Sequence, residues 1–495
     1  MHLKSTKVIL AAALAVVVLG TLIPSVCGQP PGDDSQTKNW LNWENSTLRE
    51  EWAYTIGTQA YIWGYPLVSD FSRFAAASTI KDYEIKAING TDGVLLDATP
   101  GAPINHICFL SNYANPAERR VVCPNQDTLY GAAYLDLAKE PVVLRIPDMK
   151  GRYWIAEMCA FNTDTFASPG LRRGSKPGSY LIAGPDWNGT VPKDIVEVIR
   201  SPSNKVEILF RVMMRGQSDR PNVLPLINQV TSAPLSEINS TPMTIDYDKL
   251  PRVVAPNYIE WVPDNETFWK ELTEAIRTTD QNENETALIT LFNQTGLGIS
   301  NDPAIIRGLS RALVAGRAMV DDKARFRNLG STKLNYGWTV DLNGGRFGND
   351  YLTRAAMADT NIYLHLPEDC LYYYQEFDSN GAVLNGANNY TIHFDKDKLP
   401  PNDPKAFWSI TVYGTDYFLV ENPANRYAIG TVTEGLRYNK DGSLDVYLQN
   451  DKPEGNESNW LPVPKEPFLL YMRVYMPSPS ALGGGYNPPP VAKAA

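Results

Sequence analysis

The hydrophobic pattern changes its period along this chain, and these changes limit the fold more than any other feature of the sequence. Between residues 128 and 213, and again between 372 and 475, apolar residues recur in short runs that are separated by Gly/Pro turns such as Lys176-Pro177-Gly178. Such runs are more typical of a β-sandwich than of a parallel α/β sheet, because a parallel sheet requires a crossover helix between its strands. The predicted strands are Thr128–Leu137, Val142–Ile146, Tyr153–Cys159, Ser179–Ala183, Val206–Met213, Tyr372–Phe377, Tyr390–Phe394, Phe407–Tyr413, Ser443–Leu448 and Phe468–Tyr475.

The segments before and between these two regions have helical periodicity. Asn45 can cap a helix whose apolar residues recur at about every fourth position from Leu48, and Gly64-Tyr65-Pro66 is predicted to interrupt it. Residues 264–278, 285–292 and 304–323 are also predicted to be helical. The fold class that follows is mainly β with a helical insert (α+β), in which two β-sandwich or jelly-roll-like domains flank a helical segment.

The length of 495 residues exceeds that of one typical domain and therefore predicts several parts. We expect a signal peptide at 1–28, a flexible leader at 29–45 and an N-terminal helix with a β-sandwich at 46–220. A helical insert at 221–358, a C-terminal jelly-roll-like β domain at 359–482 and a Gly/Pro-rich tail at 483–495 complete the predicted organisation.

The first residues predict a secreted, extracellular protein. Lys4 and Lys7 precede an apolar run from Val8 to Ile23, and the small residues around Cys27 offer a cleavage site. The run is too short for a typical membrane-spanning helix, and no later stretch is long and apolar enough to span a bilayer. Nine Asn-x-Ser/Thr sequons agree with a eukaryotic secretory route and are predicted to lie in surface loops; they begin at Asn45, Asn89, Asn188, Asn239, Asn265, Asn284, Asn293, Asn389 and Asn456.

Cysteine use is sparse in the predicted mature chain. Cys108, Cys123, Cys159 and Cys370 allow three pairings, and spacing alone does not choose among them. Cys108 and Cys123 bracket a polar loop and are the first candidates for a disulfide, while the others can be buried thiols in a chain of this length.

The charge of the chain restricts its partners. The formal net charge is −10, and −12 after the two lysines of the signal peptide are removed. An acidic surface repels phosphate backbones, so nucleic acid is excluded as a favoured partner. A small molecule or a glycan stays open as a partner, and the oligomeric state is undecided.

Several blocks of sequence resemble a known pair of domain families. The segments Asn125-Gln126-Asp127-Thr128-Leu129-Tyr130, Asp136-Leu137, Arg152-Tyr153 and Leu181 to Gly189 resemble the family called domain of unknown function 1254. The segments Phe407 to Tyr413, Asn425 to Ile429, Asp441 to Leu444 and Asn459 to Pro464 resemble its usual companion, domain of unknown function 1214.

The resemblance extends from about Trp52 to Pro489 and implies a β-sandwich, a helical insert and a second jelly-roll-like sandwich. It implies no reaction. This sequence departs from the expected pattern at one place, since Cys159-Ala160-Phe161 stands where an Asp is expected in the strand after Arg152-Tyr153. A site that used this Asp would therefore be altered in this protein.

Most ready-made catalytic motifs are absent from the sequence. It contains no GxSxG elbow, no HExxH, no GxGxxG and no phosphate-binding GxxxxGK, so no nucleotide or haem cofactor is indicated. The histidines His106, His365 and His393 are not spaced as metal ligands, and the metal requirement stays open.

The strongest candidate for chemistry is the polar segment that contains Asp127 and Tyr130. Asp127 can act as a general base or bind a divalent cation, and Tyr130 can donate a proton; the alternative is a loop in which Asn and Asp cap backbone N–H groups. Arg152 and Arg211 form a second candidate set. Arginines on inward-facing strand positions either pair with Asp127 or Asp136 or bind an anionic ligand.

Two hypotheses from different classes follow. The first is an extracellular hydrolase that uses Asp127, Tyr130, Arg152 and Arg211 in a cleft between the first sandwich and the helical insert. The second is a non-catalytic glycan- or matrix-binding glycoprotein that stacks sugars on exposed aromatic residues of the C-terminal domain. The aromatic candidates are Tyr372, Tyr373, Tyr374, Trp408, Tyr413, Tyr417, Tyr427 and Trp460; at least one residue of the tyrosine triplet must point away from the core, because side chains alternate along a strand.

Overall fold

The computed structural model describes residues 44–494 except for 91–92, 120, 241–244, 255–259, 280–282 and 325–331. The predicted signal peptide and nearly all of the predicted leader lie outside the described residues. Helices and strands account for 27% and 28% of the protein, which makes it a mixed α+β protein with a helical segment between β domains and confirms the predicted fold class.

Within the described residues, the secondary structure begins with one long helix and continues with short strands and further helices. The helices are α1 (Ser46–Ser78), α2 (Arg220–Ile227), α3 (Thr267–Thr278), α4 (Thr286–Asn293), α5 (Pro303–Ala324), α6 (Tyr351–Thr360) and α7 (Pro479–Leu482). The strands are β1 (Glu84–Asn89), β2 (Leu95–Gly101), β3 (Cys108–Phe109), β4 (Thr128–Asp136), β5 (Val142–Ile146), β6 (Trp154–Ala160), β7 (Thr165–Ala167), β8 (Gly178–Ala183), β9 (Ile195–Arg200), β10 (Lys205–Met213), β11 (Thr231–Pro234), β12 (Arg252–Val254), β13 (Thr332–Lys333), β14 (Thr339–Asp341), β15 (Cys370–Gln375), β16 (Tyr390–Phe394), β17 (Trp408–Gly414), β18 (Ala428–Gly430), β19 (Leu444–Gln449), β20 (Trp460–Pro462), β21 (Phe468–Tyr475) and β22 (Val491–Lys493).

Helix α1 starts where the sequence predicts, because the Asn45 side chain accepts hydrogen bonds from the backbone N–H groups of Thr47 and Leu48. The predicted interruption at Gly64-Tyr65-Pro66 is wrong, since the helix continues through it to Ser78. Pro66 removes one backbone hydrogen bond. The buried face of the helix packs against α3, α5 and α6, and Gly64 lies so close to Leu272 of α3 that a Cβ would not fit there.

The first sandwich consists of two sheets with the strand orders β3-β4-β10-β6-β7 and β11-β5-β8-β9. Its apolar core draws on both sheets, with Leu135, Phe210 and Trp154 from the first and Leu144 and Ile182 from the second. The three-stranded sheet β12-β1-β2 lies beside it.

The second sandwich consists of the sheets β13-β14-β15-β21-β17-β18 and β20-β19-β16-β22. Its core likewise includes residues from both sheets, such as Ile410 and Met472 from one and Ile392 and Val446 from the other. The predicted Gly/Pro-rich tail ends in β22, which pairs with β16 and completes the second sheet.

A second apolar cluster joins the two sandwiches. It contains Tyr153 and Met213 from the first sandwich and Tyr374, Tyr413 and Tyr471 from the second. The strands concerned therefore have two buried faces, one toward their own sandwich and one toward the other sandwich. The tyrosine triplet confirms the alternation argument, because Tyr373 packs in the second core while Tyr372 and Tyr374 point toward the first sandwich.

The predicted disulfide between Cys108 and Cys123 is wrong. Both cysteines are thiols, as are Cys159 and Cys370. Cys108 packs inside the first sandwich, whereas Cys123 packs in the cluster between the sandwiches. The two side chains belong to different apolar layers and do not meet.

Candidate functional site

A cavity of about 320 Å³ lies against the outer face of the first sandwich. Helix α1 contributes Arg73 to its wall, β4 and β10 contribute several residues, and β15 and β21 of the second sandwich contribute Tyr372 and Arg473. Both sandwiches and the long helix thus meet at one place. A volume of this size suits a small organic molecule.

Strand pairing places three residue pairs along one wall of this cavity. In the register of β10 with β4, Arg211 is opposite Tyr130, Leu209 is opposite Ala132 and Glu207 is opposite Tyr134. Alternate residues of both strands fill the sandwich core, so these six share the outer face. The cavity therefore has a cationic end at Arg211 and a carboxyl end at Glu207, with apolar residues between them. The two ends are about 13 Å apart along the strand.

Arg473 is the most unusual residue of the cationic end. It is only 4% exposed, and its guanidinium donates to Thr411 Oγ1 at 3.2 Å and to the backbone oxygen of Cys123 at 2.7 Å. These acceptors are neutral, and no carboxylate in the described part of the chain lies within ion-pairing distance of it. Arg473 therefore lines the cavity as a cation without an ion pair.

Arg211 has a complete set of partners except at one atom. It forms an ion pair with Glu157 and donates to the backbone oxygen of Tyr363 at 3.1 Å, while its buried Nε has no partner among the described residues. Burial raises the pKa of Glu157 to about 7, although the charge of Arg211 opposes this shift. The pair neutralises Arg211, whereas a carboxyl near Arg473 in the described structure, that of Asp127, interacts with it electrostatically without forming an ion pair.

A histidine connects Arg211 to Tyr372. Arg211 Nη1 lies 3.3 Å from His365 Nε2, and His365 Nδ1 lies 2.6 Å from the Tyr372 hydroxyl. Because arginine only donates, Nε2 accepts, and Nδ1 of the neutral ring then donates to Tyr372. Burial, together with the charges of Arg211 and Arg473, holds the pKa of His365 well below its usual value, which agrees with a neutral ring. Because its oxygen accepts from His365, the Tyr372 hydroxyl can donate its hydrogen to a molecule in the cavity.

Asn125 positions Tyr130. The Tyr130 hydroxyl accepts from the backbone N–H of Asn125 at 2.8 Å and from its Nδ2 at 2.7 Å. Asn125 Oδ1 in turn accepts from the backbone N–H groups of Asp127 and Thr128. The amide therefore caps the loop, as one of the two sequence-based alternatives predicts, and also fixes a phenol on the cavity wall.

The opposite end of the cavity contains two buried carboxyl groups. Glu207 lines the cavity, and its Oε2 has no hydrogen-bond partner in the described structure. Asp70 of α1 accepts from the Tyr363 hydroxyl at 2.6 Å. Burial raises the pKa of Glu207 to about 7, and burial together with the neighbouring Glu207 raises that of Asp70 well above its usual value. Arg73 stacks on Trp261 at 4.5 Å and has no described carboxylate within ion-pairing distance.

The structure brings together only two of the four predicted site residues. Tyr130 and Arg211 line the cavity, whereas Asp127 and Arg152 do not. The Asp127 carboxylate accepts from the Ser409 hydroxyl at 2.6 Å and so links the two sandwiches; burial raises its pKa, while Ser409, Arg473 and Tyr475 act in the opposite direction.

The predicted pairing of Arg152 and Arg211 with Asp127 or Asp136 is wrong. Arg152 pairs with Asp219, and Arg211 pairs with Glu157, because these carboxylates are the ones that reach the buried guanidinium groups. Asp136 is bound by Lys205 instead. Cys159, the first residue of the segment where an Asp was expected, is opposite Glu207 in the sheet.

Sequence reasoning missed Arg473, Glu207, Glu157 and Asp70. A usable signal was present, since Glu157 and Arg473 are single charges inside otherwise apolar strands, WIAEMCA and FLLYMRVY. A charge on a fully buried strand requires a partner or a ligand.

Among the described residues, no group of three or more His, Cys, Asp or Glu side chains is arranged to hold a metal ion. A search of the described helices finds none with the length and apolar character needed to cross a membrane.

Fold and site together define an α+β protein whose two β-sandwiches and one long helix line a cavity with charged groups at both ends and an apolar middle. Comparison with family models identifies the parts: Protein of unknown function (DUF1254) matches residues 104–234, and Protein of unknown function (DUF1214) matches residues 369–479. The chain therefore contains these two domains in this order, which confirms the predicted resemblance.

The chain is also similar to proteins of known structure. A Vibrio parahaemolyticus protein solved by a structural genomics consortium has a TM-score of 0.62 and 24% identity over 90% of this chain and 100% of its own. An uncharacterized Burkholderia cenocepacia protein has a TM-score of 0.40 and 11% identity over 89% and 96% of the two chains. The first likeness shows a common fold. No curated protein matches the chain.

Proposed function

We propose that the protein is a secreted, N-glycosylated hydrolase that takes a small organic anion into the cavity between the first sandwich, α1 and the second sandwich. One observation carries this proposal: Arg473 is a buried cation without a carboxylate partner in the described structure, and it lines the cavity. A buried charge is costly unless it is paired, and an anionic ligand provides the pair.

The surroundings of Arg473 suit a ligand carboxylate or a similar group. Tyr130 and Tyr372 each have a hydroxyl hydrogen without a described acceptor, because both hydroxyls accept from residues behind them. Two phenols and a guanidinium on one wall bind an anion with charge-assisted hydrogen bonds, and the apolar middle of the cavity accommodates the body of the molecule.

Secretion and glycosylation are supported by the positions of the sequons. All nine sequon asparagines are exposed in the structure, including Asn45 at the start of α1. Expression in a eukaryotic secretory host is expected to give a protein in the medium whose mass falls on treatment with an N-glycosidase. A protein that stays inside the cells without glycans would contradict this part of the proposal.

The alternative of a glycan-binding aromatic face has less support. The triplet Tyr372 to Tyr374 is buried, as are Trp408, Tyr413 and Trp460, while Tyr417 and Tyr427 are half-buried. Large aromatic residues that pack in cores or between sandwiches do not offer the exposed surface that sugar stacking requires.

The test of anion binding is a thermal-shift and calorimetric screen with benzoate, octanoate, inorganic phosphate and sulfate. We expect an organic carboxylate to raise the melting temperature, and Arg473→Met to weaken its binding at least about tenfold. Arg152→Met is the matched control, because Arg152 pairs with Asp219 outside the cavity. No binding of any anion, or an equal loss in both variants, would refute the proposal.

A further inference from the structure

The carboxyl end of the cavity has features that anion binding at the other end does not explain. Glu207 lies on the same face of β10 as Arg211, four residues away, so one elongated ligand can reach both. The role assigned to this end rests on the proposed function, because it requires the anionic group of the ligand to occupy the Arg473 end.

Glu207 is poised for proton transfer by its position. It is buried, it lines the cavity and it forms no ion pair in the described structure. Its Oε2 has no close hydrogen-bond partner there, although hydrogen bonding by Tyr363 and Tyr134 opposes the rise in the pKa of this carboxyl. Structural carboxylates are normally satisfied by donors, so an unsatisfied oxygen that faces a cavity indicates a group that meets a ligand or water.

Asp70 and Arg73 flank this carboxyl from α1. Asp70 is held by the Tyr363 hydroxyl and does not line the cavity, whereas Arg73 does. Two carboxyl groups in one buried cluster cannot both ionise easily, so the pair retains a proton near neutral pH. The charged and titratable groups that face Glu207 are Asp70 and Arg73 of α1, Tyr134 of β4, Glu157 and Cys159 of β6, and Tyr363 before β15.

We propose that Glu207 is the general base of an ester hydrolysis at this end of the cavity, and that the substrate is an elongated half-ester with a free carboxylate at its far end. The Glu207 carboxylate takes a proton from a water molecule, and the water oxygen forms a bond to the acyl carbon. The carbonyl electron pair moves to the oxygen, which the Arg73 guanidinium stabilises. When this electron pair forms the carbonyl bond again, the bond between the acyl carbon and the alkoxide breaks, and Glu207 gives its proton to the departing alkoxide. Ester and water thereby become acid and alcohol.

The geometry also specifies the length of the substrate. The carboxylate binds at Arg473 and the ester lies near Glu207, with the apolar chain over Leu209 and Ala132. A succinate half-ester is too short to reach both ends, whereas a suberate half-ester is long enough. A neutral octanoate ester has the same chain length but lacks the carboxylate.

The experiment uses the full chain and these three substrates as para-nitrophenyl esters. We expect the suberate half-ester to be the best substrate of the three. Its kcat/KM is expected to rise as the pH passes about 7, the pKa of Glu207, because Glu207 acts as a base only after it has lost its proton. Glu207→Gln is expected to lower kcat at least about 100-fold, with carboxylate binding retained. Glu271→Gln is the control, because Glu271 is a half-buried carboxyl of α3 that binds Ser72 away from the cavity.

Each outcome separates the two proposals. Binding of the suberate half-ester that depends on Arg473, without hydrolysis or with hydrolysis unchanged in Glu207→Gln, would overturn the role of Glu207 and leave the anion site standing. Absence of any Arg473-dependent binding would overturn the anion site, and with it the two-ended substrate. Equal turnover of the octanoate and suberate esters would overturn the requirement for a carboxylate.

Discussion

Replacing Glu207 by Gln is expected to change how the stability of the protein depends on pH. Burial raises the pKa of Glu207 from its ordinary value of 4.5 to about 7 in the folded protein. Between these two values the unfolded chain loses its proton while the folded protein keeps it, so the free energy of unfolding falls as pH rises. The difference between the two pKa values corresponds to a decrease of about 3 kcal/mol in the free energy of unfolding. This decrease is absent below pH of about 4 and complete above pH of about 7.

The glutamine variant has no proton to lose and avoids this penalty. Urea denaturation at a series of pH values is expected to show the variant and the wild type close together in acid, and the variant more stable by about 3 kcal/mol at pH of about 8. Glu50→Gln is a control of opposite sign, because hydrogen bonds from Arg307 and Arg311 lower the pKa of the half-buried Glu50. That variant is expected to lose stability relative to the wild type as pH rises. Parallel curves for Glu207→Gln and the wild type would refute the reasoning.

Three further outcomes are expected. Asp127→Asn keeps an acceptor for Ser409 and removes a negative charge near Arg473. Calorimetry is therefore expected to show that the variant binds an organic carboxylate about threefold more tightly. A loss of binding would instead indicate that Asp127 takes part in the binding site. The buried thiols are expected not to react with Ellman's reagent before unfolding, and a reducing agent is expected to leave the melting temperature unchanged; a fall in that temperature would reveal a disulfide. Gly308→Ala is expected to cost about 2 kcal/mol in urea denaturation, because its Cβ would collide with the Glu50 backbone oxygen where α5 packs on α1; an unchanged midpoint would contradict this packing.

The strands were predictable because their side chains alternate between environments or stay apolar throughout. The bounds of Val142–Ile146, Tyr390–Phe394 and Phe468–Tyr475 agree with the sequence prediction at both ends. Pro66 shows the limit of local rules. Its intrinsic preference ends helices, yet the contacts of α1 with four other helices outweigh the one hydrogen bond that it removes.

The site was less predictable, because its residues are neighbours only after folding. Tyr130 was found because it follows the polar segment Asn125-Gln126-Asp127, and Arg211 because it is a charge in an otherwise apolar stretch of strand. The single charge of Arg473 in an apolar strand was a usable signal, but its convergence with Glu207 on one cavity was not predictable, because no local pattern connects β10 with β21. Their partners are likewise set by the register of strands and by the packing of the two sandwiches.

The shared wall of the cavity has a consequence for inheritance. Arg211 belongs to the segment that matches DUF1254, Arg473 belongs to the segment that matches DUF1214, and Arg73 lies outside both. A descendant gene that lost the first segment would lose Tyr130, Glu207 and Arg211 from the wall, and one that lost the second would lose Tyr372 and Arg473. The complete cavity therefore requires both segments and the helix that precedes them in one chain.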